Sequence, residues 1–481
     1  MWQIIVIIVM KQNIIGREKE KVLLERVFHS DKAEFIAVCG RRRVGKTFLV
    51  KEFFEGQLVF QTAGLAHDRM SKQIKSFYQD LMECGLPRQA QPPKDWIDAF
   101  SLLRELIKQS TLERKVILLD EMPWMDTPRS GFVSALEHFW NAWASGRHDI
   151  VLVVCGSATS WMMDKLINNH GGLHNRLTCQ LFLEPFTLGE TEKFLQSRGF
   201  KLSRYDIAIG YMILGGIPYY WEMLDSTLSL AQNINQLLFR QNGSLSHEFS
   251  NLYAALFKNS EDYIKIVEAL SRKKSGLSRG EIIEATSLRT GNGLTTMLNN
   301  LEWCGFIRRY KNYKSSRRDS TLYQLIDFFT LFYFTFLIGD KKHTNWTAMQ
   351  GTPSFYTWAG LTFELLALHH IDQIKSRLGI CGVNTMEYAW RSITYDRGAQ
   401  IDLVIDRADN TINLCEMKFS VGVFTIDKDY EMSLRNKLAR FMATAERQKS
   451  IQLTFVTTFG IERNVHSGIV NNEVILDDLF S

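Results

Sequence analysis

Proline is scarce in this chain, with eight residues in 481, so proline-rich linkers and polyproline segments are excluded as organising features. No low-complexity tract and no internal repeat is visible, which points away from solenoids and other repeat arrays. Cysteine is sparse too. Cys39, Cys84, Cys155, Cys179, Cys304, Cys381 and Cys415 are odd in number, scattered and without metal-ligand spacing. Most sit in apolar runs, where cysteine behaves as a small hydrophobe. This usage fits a reducing cytoplasm. Long apolar runs are missing as well. The start, Trp2 to Val9, is apolar but far short of the roughly 20 residues that span a bilayer. It has no basic flank and no small-residue cleavage site, so neither a signal peptide nor a membrane helix is expected. It reads as an added strand or as an over-extended start with Met10 the initiator.

What is present is globular. Hydrophobic residues make up 45% and charged residues 23%, ample for more than one core. At roughly 150 residues per domain, about three domains are expected. The net charge of +5 says little, but its distribution says more. From Arg272 to Arg318 there are eleven Lys/Arg and three Glu (Glu281, Glu284 and Glu302). Such an excess is either an electrostatic footprint for nucleic acid or a solvated face.

Apolar, β-rich runs at Phe35–Cys39, Val116–Leu119 and Ile150–Val154 alternate with helical stretches. This alternation predicts an α/β layer with a parallel sheet. After about Phe186 the pattern is helical to about Phe257. Tyr263 to about Tyr323 predicts a winged helix-turn-helix. It has one helix through Ile264, Ile266, Val267 and Leu270, and a second starting at the N-cap Ser278 with Glu281. A third runs from Thr290 to Trp303, and a hairpin joins Gly305–Arg309 to Thr321–Leu325, its basic tip forming the wing. The aromatic run Phe328 to Phe336 predicts a core or interdomain helix, and an α+β pattern follows from Gly360.

The chemistry is clearest near the N-terminus. Gly40-Arg41-Arg42-Arg43-Val44-Gly45-Lys46-Thr47 has the spacing G-x-x-x-x-G-K-[ST], and it follows a predicted strand and opens a predicted helix. Glycines let the backbone wrap phosphates, and the helix N-terminus adds partial positive charge. Lys46 is expected on the β/γ-phosphates of ATP, and the Thr47 hydroxyl on Mg²⁺. Arg41, Arg42 and Arg43 are expected at the surface, with their role open. A second apolar strand ends in Asp120-Glu121. Asp120 is expected to hold Mg²⁺ through water and Glu121 to polarise the attacking water. Ser157, at the end of a third strand, is either a γ-phosphate sensor or a helix cap. Arg176 is either an arginine finger or part of a surface ion pair.

Gly16-Arg17-Glu18, the arginine pair in the phosphate loop, Leu119-Asp120-Glu121, Cys155-Gly156-Ser157 and Leu183-Glu184-Pro185-Phe186 resemble the archaeal-type ATPases of the AAA+/STAND group, also called DEXX-box ATPases. Gly215-Gly216-Ile217-Pro218-Tyr219-Tyr220 resembles that family's helical lid segment. The resemblance covers nearly the whole chain. It implies a P-loop ATPase core over 1–186, a lid over 187–258, a winged helix over 259–326 and a nuclease-like α+β domain over 327–481.

In that last segment, Gln400–Asp406 and Asn413–Phe419 read as strands with a polar turn between them. A hairpin centred on Asp409 sets Asp402 opposite Glu416, and Glu416 and Lys418 project from the same face. The trio resembles the PD-(D/E)xK nuclease core, and Glu364 matches that fold's helix glutamate. The resemblance implies that Glu364, Asp402 and Glu416 bind a divalent metal such as Mg²⁺ while Lys418 positions the nucleophile. The alternative is a cross-strand cluster on a fold that does not cut. Three functions stay open: an ATP-driven remodeller acting on DNA, an ATP-regulated DNA-binding regulator with an inert nuclease-like domain, and a signalling switch that captures a protein partner. No membrane association is expected.

Overall fold

The computed structural model describes residues 14–87, 91–157, 161–167, 173, 175–273, 275–311, 313, 321–338, 345–391, 399–443 and 448–481. The apolar start and the basic tip with Arg317 and Arg318 lie outside these residues. The chain divides into two compact units, Met1–Pro185 and Phe186–Ser481. Among the described residues, no helix is long and apolar enough to cross a membrane.

The first unit is built on a parallel sheet of β1 (Glu34–Gly40), β2 (Leu58–Ala63), β3 (Lys115–Asp120), β4 (Ile150–Ser157) and β5 (Cys179–Leu183). Their order is β2-β3-β4-β1-β5, so β4 lies between the strand that feeds the phosphate loop and the strand that ends in Asp120. The three central strands are buried along their whole length. Helices cover both faces of such a sheet, which is why those strands read as unbroken apolar runs. The edge strands alternate instead: β5 follows Cys-Gln-Leu-Phe-Leu, with Gln180 and Phe182 exposed. Against one another Phe77, Trp96, Phe100 and Phe132 pack edge-on or tilted, with centroids 4.9–6.2 Å apart. The helix Trp96–Gln109 starts where the Asp95 carboxylate accepts from the Asp98 amide.

The second unit has one large core and a smaller one on the far face of its C-terminal sheet. Its first part is helical, with Leu188–Ser197 and Arg204–Leu214 leading to Gly215 and Gly216. Gly215 has φ +65°, and a Cβ on Gly216 would lie 2.0 Å from the Phe186 carbonyl oxygen. Only glycine fits this crossing. Next come the helices Ser260–Ser271, Arg279–Thr286 and Asn292–Trp303, with β6 (Leu277–Ser278), β7 (Ile307–Lys311) and β8 (Thr321–Leu325) forming a sheet of order β6-β8-β7. Ser278 and Glu281 make a reciprocal capping box at the start of the second of these helices. The aromatic run forms the helix Phe328–Phe332 and a wider turn to Leu337, and Phe332 and Phe336 pack on Trp346 and Trp358.

The last part is a mixed sheet, β13-β12-β11-β10-β9, of β9 (Thr385–Arg391), β10 (Gln400–Arg407), β11 (Thr411–Lys418), β12 (Ser450–Thr457) and β13 (Asn472–Ile475). One face, with Leu403, Ile405, Cys415 and Met417, joins the unit's main core, which also holds Phe363, Leu365 and Leu366 of the helix Pro353–His369. The other, with Ile401, Val404, Ile412 and Leu414, packs with Leu434 and Phe441 of the helix Lys428–Met442. Buried His370 ties distant parts together: its Nε2 accepts from the Leu188 amide at 2.9 Å, and its Nδ1 lies 2.7 Å from the Leu366 carbonyl. These partners fix the neutral tautomer with the proton on Nδ1. Burial pushes its pKa down to about 4.

Candidate functional sites

In the first unit the phosphate loop leaves β1 at Gly40 and enters the helix Lys46–Phe53 through Gly45, whose φ is +96°. A Cβ on Gly45 would meet nothing within 4 Å, so glycine is required there by backbone conformation rather than space. Arg43 adopts a left-handed conformation, φ +70°. The loop is held from outside by Arg17, a buried side chain whose Nη1 donates to the Glu184 carbonyl at 2.6 Å and whose Nη2 donates to the Val44 carbonyl at 3.2 Å. Sequence reasoning singled out Gly16-Arg17-Glu18 without assigning it a task. The arginine fastens the loop to the end of β5. Lys46 is buried, and its ammonium donates to the carbonyls of Gly40 and Arg41 at 3.1 and 3.0 Å.

The three loop arginines depart from the surface placement expected of them. Arg41 is buried, and Arg42 and Arg43 are half-buried.

Across β4, the Thr47 hydroxyl donates to Asp120 Oδ2 at 2.7 Å. The other oxygen, Oδ1, accepts from the Glu121 amide at 3.0 Å. Glu121 sits just past the strand at φ +44°, ψ +40°, a left-handed conformation uncommon for a residue with a side chain. Burial pushes its carboxyl pKa up, and Asp120 adds to the rise, while Lys46 and Arg42 oppose it. A carboxylate with raised proton affinity next to a fixed ammonium is suited to taking a proton from water. Ser157 ends β4, is buried and is paired in register with Gly40. Arg176 lies in the approach to β5 and is exposed.

Thr47 and Asp120 offer a hydroxyl and a carboxylate side by side at the loop's helix end. Hard oxygen donors of this kind fit Mg²⁺.

In the second unit the β10–β11 hairpin pairs Leu403 with Cys415, Val404 with Leu414, Ile405 with Asn413 and Asp406 with Ile412. Beyond this pairing the next residues along the two strands are Asp402 and Glu416, and β10 is irregular between Ile401 and Val404. Glu416 is buried and its oxygens are engaged. Lys437 donates to Oε1 and Oε2 at 2.8 and 2.9 Å, the Tyr430 hydroxyl donates to Oε1 at 2.8 Å, and Lys418 pairs with Oε1 at 3.1 Å. Lys418 and Lys437 hold the Glu416 carboxyl below its ordinary range against the opposing effect of burial. Burial, followed by the fields of Glu364 and Glu416, raises Asp402 to about 7.

Lys437 and Tyr430 were missed at the sequence level. They are seven residues apart on one helix and so share a face, a spacing that could have drawn attention to them.

The expectation of a metal-ligand set at Glu364, Asp402 and Glu416 meets a different arrangement. Among the described residues, no three His, Cys, Asp or Glu side chains are gathered so as to hold a metal ion. The three carboxylates share one electrostatic field, but Glu416 is turned to lysines and a tyrosine. The donor chemistry is that of a hard-cation site; the arrangement present is that of an ion-pair cluster.

The β7–β8 hairpin also departs from the picture of a solvent-facing basic arm. Arg308 is half-buried, and its Nε donates to Gln324 Oε1 at 2.8 Å. It lies in the field of Asp402 and Glu364. Arg309 is exposed but paired with Glu302.

A phosphate loop on β1, a carboxylate on β3 and an inserted β4 define a P-loop ATPase domain. Residues 14–224 match a family model described as an ATPase domain predominantly from Archaea. This part of the chain is an archaeal-type P-loop ATPase domain, a module that binds and hydrolyses ATP. An uncharacterized protein of Methanocaldococcus jannaschii is 24% identical over 396 residues, covering 81% of this chain and 83% of its own. An uncharacterized ATP-binding protein of the same archaeon is 44% identical over 45 residues, 9% of this chain and 76% of its own. Among solved structures, the Walker-type ATPase of Pyrococcus abyssi has a TM-score of 0.46 at 17% identity, covering 67% of this chain and 96% of its own. The Aeropyrum pernix ORC2 protein, solved in ADPNP–ADP complexes, has a TM-score of 0.42 at 15% identity, covering 68% and 96%.

Proposed function

We propose that this chain is an ATP-driven switch that acts on nucleic acid, with Lys46, Thr47, Asp120 and Glu121 as its hydrolytic centre. The observation that carries the ATP half is the 2.7 Å contact between Thr47 and Asp120 with Glu121 next in the chain. Thr47 and Asp120 would hold Mg²⁺, which would offset the charge of the phosphate oxygens. Lys46 supplies a fixed positive charge to the same oxygens. Glu121 accepts the proton of the attacking water. Ser157, level with Gly40, would sense the γ-phosphate, and exposed Arg176 would act as an arginine finger on a phosphate presented to it.

The nucleic-acid half rests on the segment 259–326, read as a winged helix. The helix Asn292–Trp303 exposes Asn292, Thr295 and Thr296, with Arg289 exposed just before it. Short amide and hydroxyl side chains beside an arginine suit base edges and phosphates. Arg317 and Arg318 extend the basic character in the sequence. The final segment is read as nuclease-like, with Asp402, Glu416 and Lys418 as its centre.

A second reading, an ATP-regulated DNA-binding protein whose nuclease-like domain does not cut, is favoured by the engagement of Glu416 with Lys437 and Tyr430. ATP turnover measured with and without duplex and single-stranded DNA tests the proposal. Stimulation by DNA is expected. Turnover indifferent to DNA, with no DNA retained in a binding assay, would transfer support to a protein-directed switch.

A further inference from the structure

The helix Lys428–Met442 lays one stripe of side chains against the C-terminal sheet. Tyr430, Leu434, Lys437 and Phe441 recur at steps of four, three and four residues, so they share a helix face. Leu434 and Phe441 are buried in one core with Ile412 and Leu414 of β11. Glu416 follows Ile412 and Leu414 at two-residue steps and so belongs to the same side of that strand. Lys437 therefore stands between two core anchors, which press it against Glu416 as no solvated face would. The start of the helix is fixed as well: the Asp427 carboxylate caps it by accepting from the Tyr430 amide at 2.8 Å.

The contact between Lys437 and Glu416 has the form of chelation. The ammonium is 2.8 Å from Oε1 and 2.9 Å from Oε2. A cation placed evenly between both oxygens holds the position that a divalent ion takes on a bidentate carboxylate. The remaining capacity of the carboxylate is used by its neighbours. The Tyr430 hydroxyl donates to Oε1 at 2.8 Å, and Lys418 pairs with the same oxygen at 3.1 Å while its ammonium lies 5.4 Å from the centre of the Tyr430 ring. Glu416 is only 3% exposed, and a buried carboxylate needs both charge pairing and hydrogen bonds. This chain supplies both from its own side chains.

We infer that Lys437 takes the place of the divalent ion expected at Glu416, making the nuclease-like centre an ammonium-filled site. The inference rests on reading the final segment as nuclease-like, and it deepens the reading in which that segment does not cut. Lys437 is a positioning residue: it fixes Glu416, and through it the arrangement of Lys418 and Tyr430. A divalent ion reaching Glu416 has to expel an ammonium held by packing on both sides, break the bond from Tyr430 and shed part of its own water.

Mn²⁺ binding to the full chain without nucleotide, read from the electron paramagnetic resonance of the free ion, tests this. Glu416→Gln in each background identifies the part of the binding that belongs to Glu416, apart from any at Thr47 and Asp120. Wild type should show no such part. Lys437→Met keeps a long side chain for packing and removes the charge. Removing one partner of a buried ion pair leaves the other uncompensated, so a Glu416-dependent Mn²⁺ site should appear, about tenfold or more tighter than any in wild type. Lys437→Arg keeps the charge and should behave as wild type, which separates charge from loosened packing. A Glu416-dependent site in wild type overturns the inference and leaves a metal-binding nuclease-like centre standing; this arm needs no change at Lys437. Equal gains in Lys437→Met and Lys437→Arg overturn it too, since the charge would not be what fills the place. Absence of a Glu416-dependent site in every variant overturns both the inference and the nuclease-like reading.

Discussion

His370 gives the second unit a definite response to acid. Its ring is buried and makes two bonds that require the neutral form, accepting from Leu188 and donating to Leu366. Its pKa of about 4 compares with about 6.5 for the ordinary side chain. Between these values the unfolded chain binds a proton that the folded chain refuses, so stability falls as the pH falls. The full stabilisation is present above about pH 6.5 and is lost progressively toward pH 4. The gap corresponds to about 3 kcal/mol, a large part of the 5–15 kcal/mol typical of a folded domain. The perturbation is His370→Gln, and the assay is urea unfolding of both proteins at intervals from pH 7.5 to 4. At neutral pH the variant should be less stable, since a glutamine amide can replace one of the two ring bonds but does not reproduce both. The difference between the two proteins should then shrink by about 3 kcal/mol on acidification. Asp402 has a raised pKa, and its contribution runs oppositely, being lost as pH rises through about 7; it is common to both proteins and cancels. A difference that stays constant across the range would refute the assignment of a neutral, acid-labile His370.

Lys46→Ala should lose most ATP affinity while remaining folded, because a charge-assisted phosphate contact disappears; a fluorescent-nucleotide titration with unchanged affinity would remove Lys46 from the site. Glu121→Gln should retain nucleotide and hydrolyse it roughly 100-fold or more slowly, read by phosphate release, and near-normal turnover would show that another group handles the proton. Replacing Arg317 and Arg318 together with Ala should weaken DNA binding evenly across sequences and flatten its salt dependence. A salt slope equal to that of wild type would mark these arginines as solvated bystanders.

The parts of the fold visible in the sequence are those in which one local rule acts alone. The buried strands β1, β3 and β4 stand out because both faces are covered and their middles are unbroken apolar runs. The edge strands β2 and β5 escaped notice because half their residues face water, and an alternating run of five or six residues carries little signal. Ser278 with Glu281 announced a helix start, since a capping box is a contact between residues three apart. The β10–β11 register could be worked out by counting from its turn. What could not be read is what distant segments bring to a place. Arg17 meets Val44 and Glu184 across 27 and 167 residues, and Tyr313 enters the core of the C-terminal sheet. The loop arginines looked solvent-facing because charge alone suggests a surface, yet Arg41 is buried and Arg42 and Arg43 are half-buried.

The insertion of β4 between β1 and β3 also sets a gauge. Neighbouring strands stand about 4.8 Å apart, so two spacings separate the tip bearing the phosphate loop from the tip bearing Asp120 by about 10 Å. Adjacent strands would leave half that width. The tip in the middle is pared down to suit: a Cβ on Gly156 would strike Met162 Sδ at 2.8 Å and Pro123 Cδ at 2.9 Å. Pro123 belongs to the turn that starts at Glu121. Bulk added at this central tip would therefore be transmitted to the glutamate through the proline ring, changing the aperture in which hydrolysis takes place without altering any residue that touches the nucleotide.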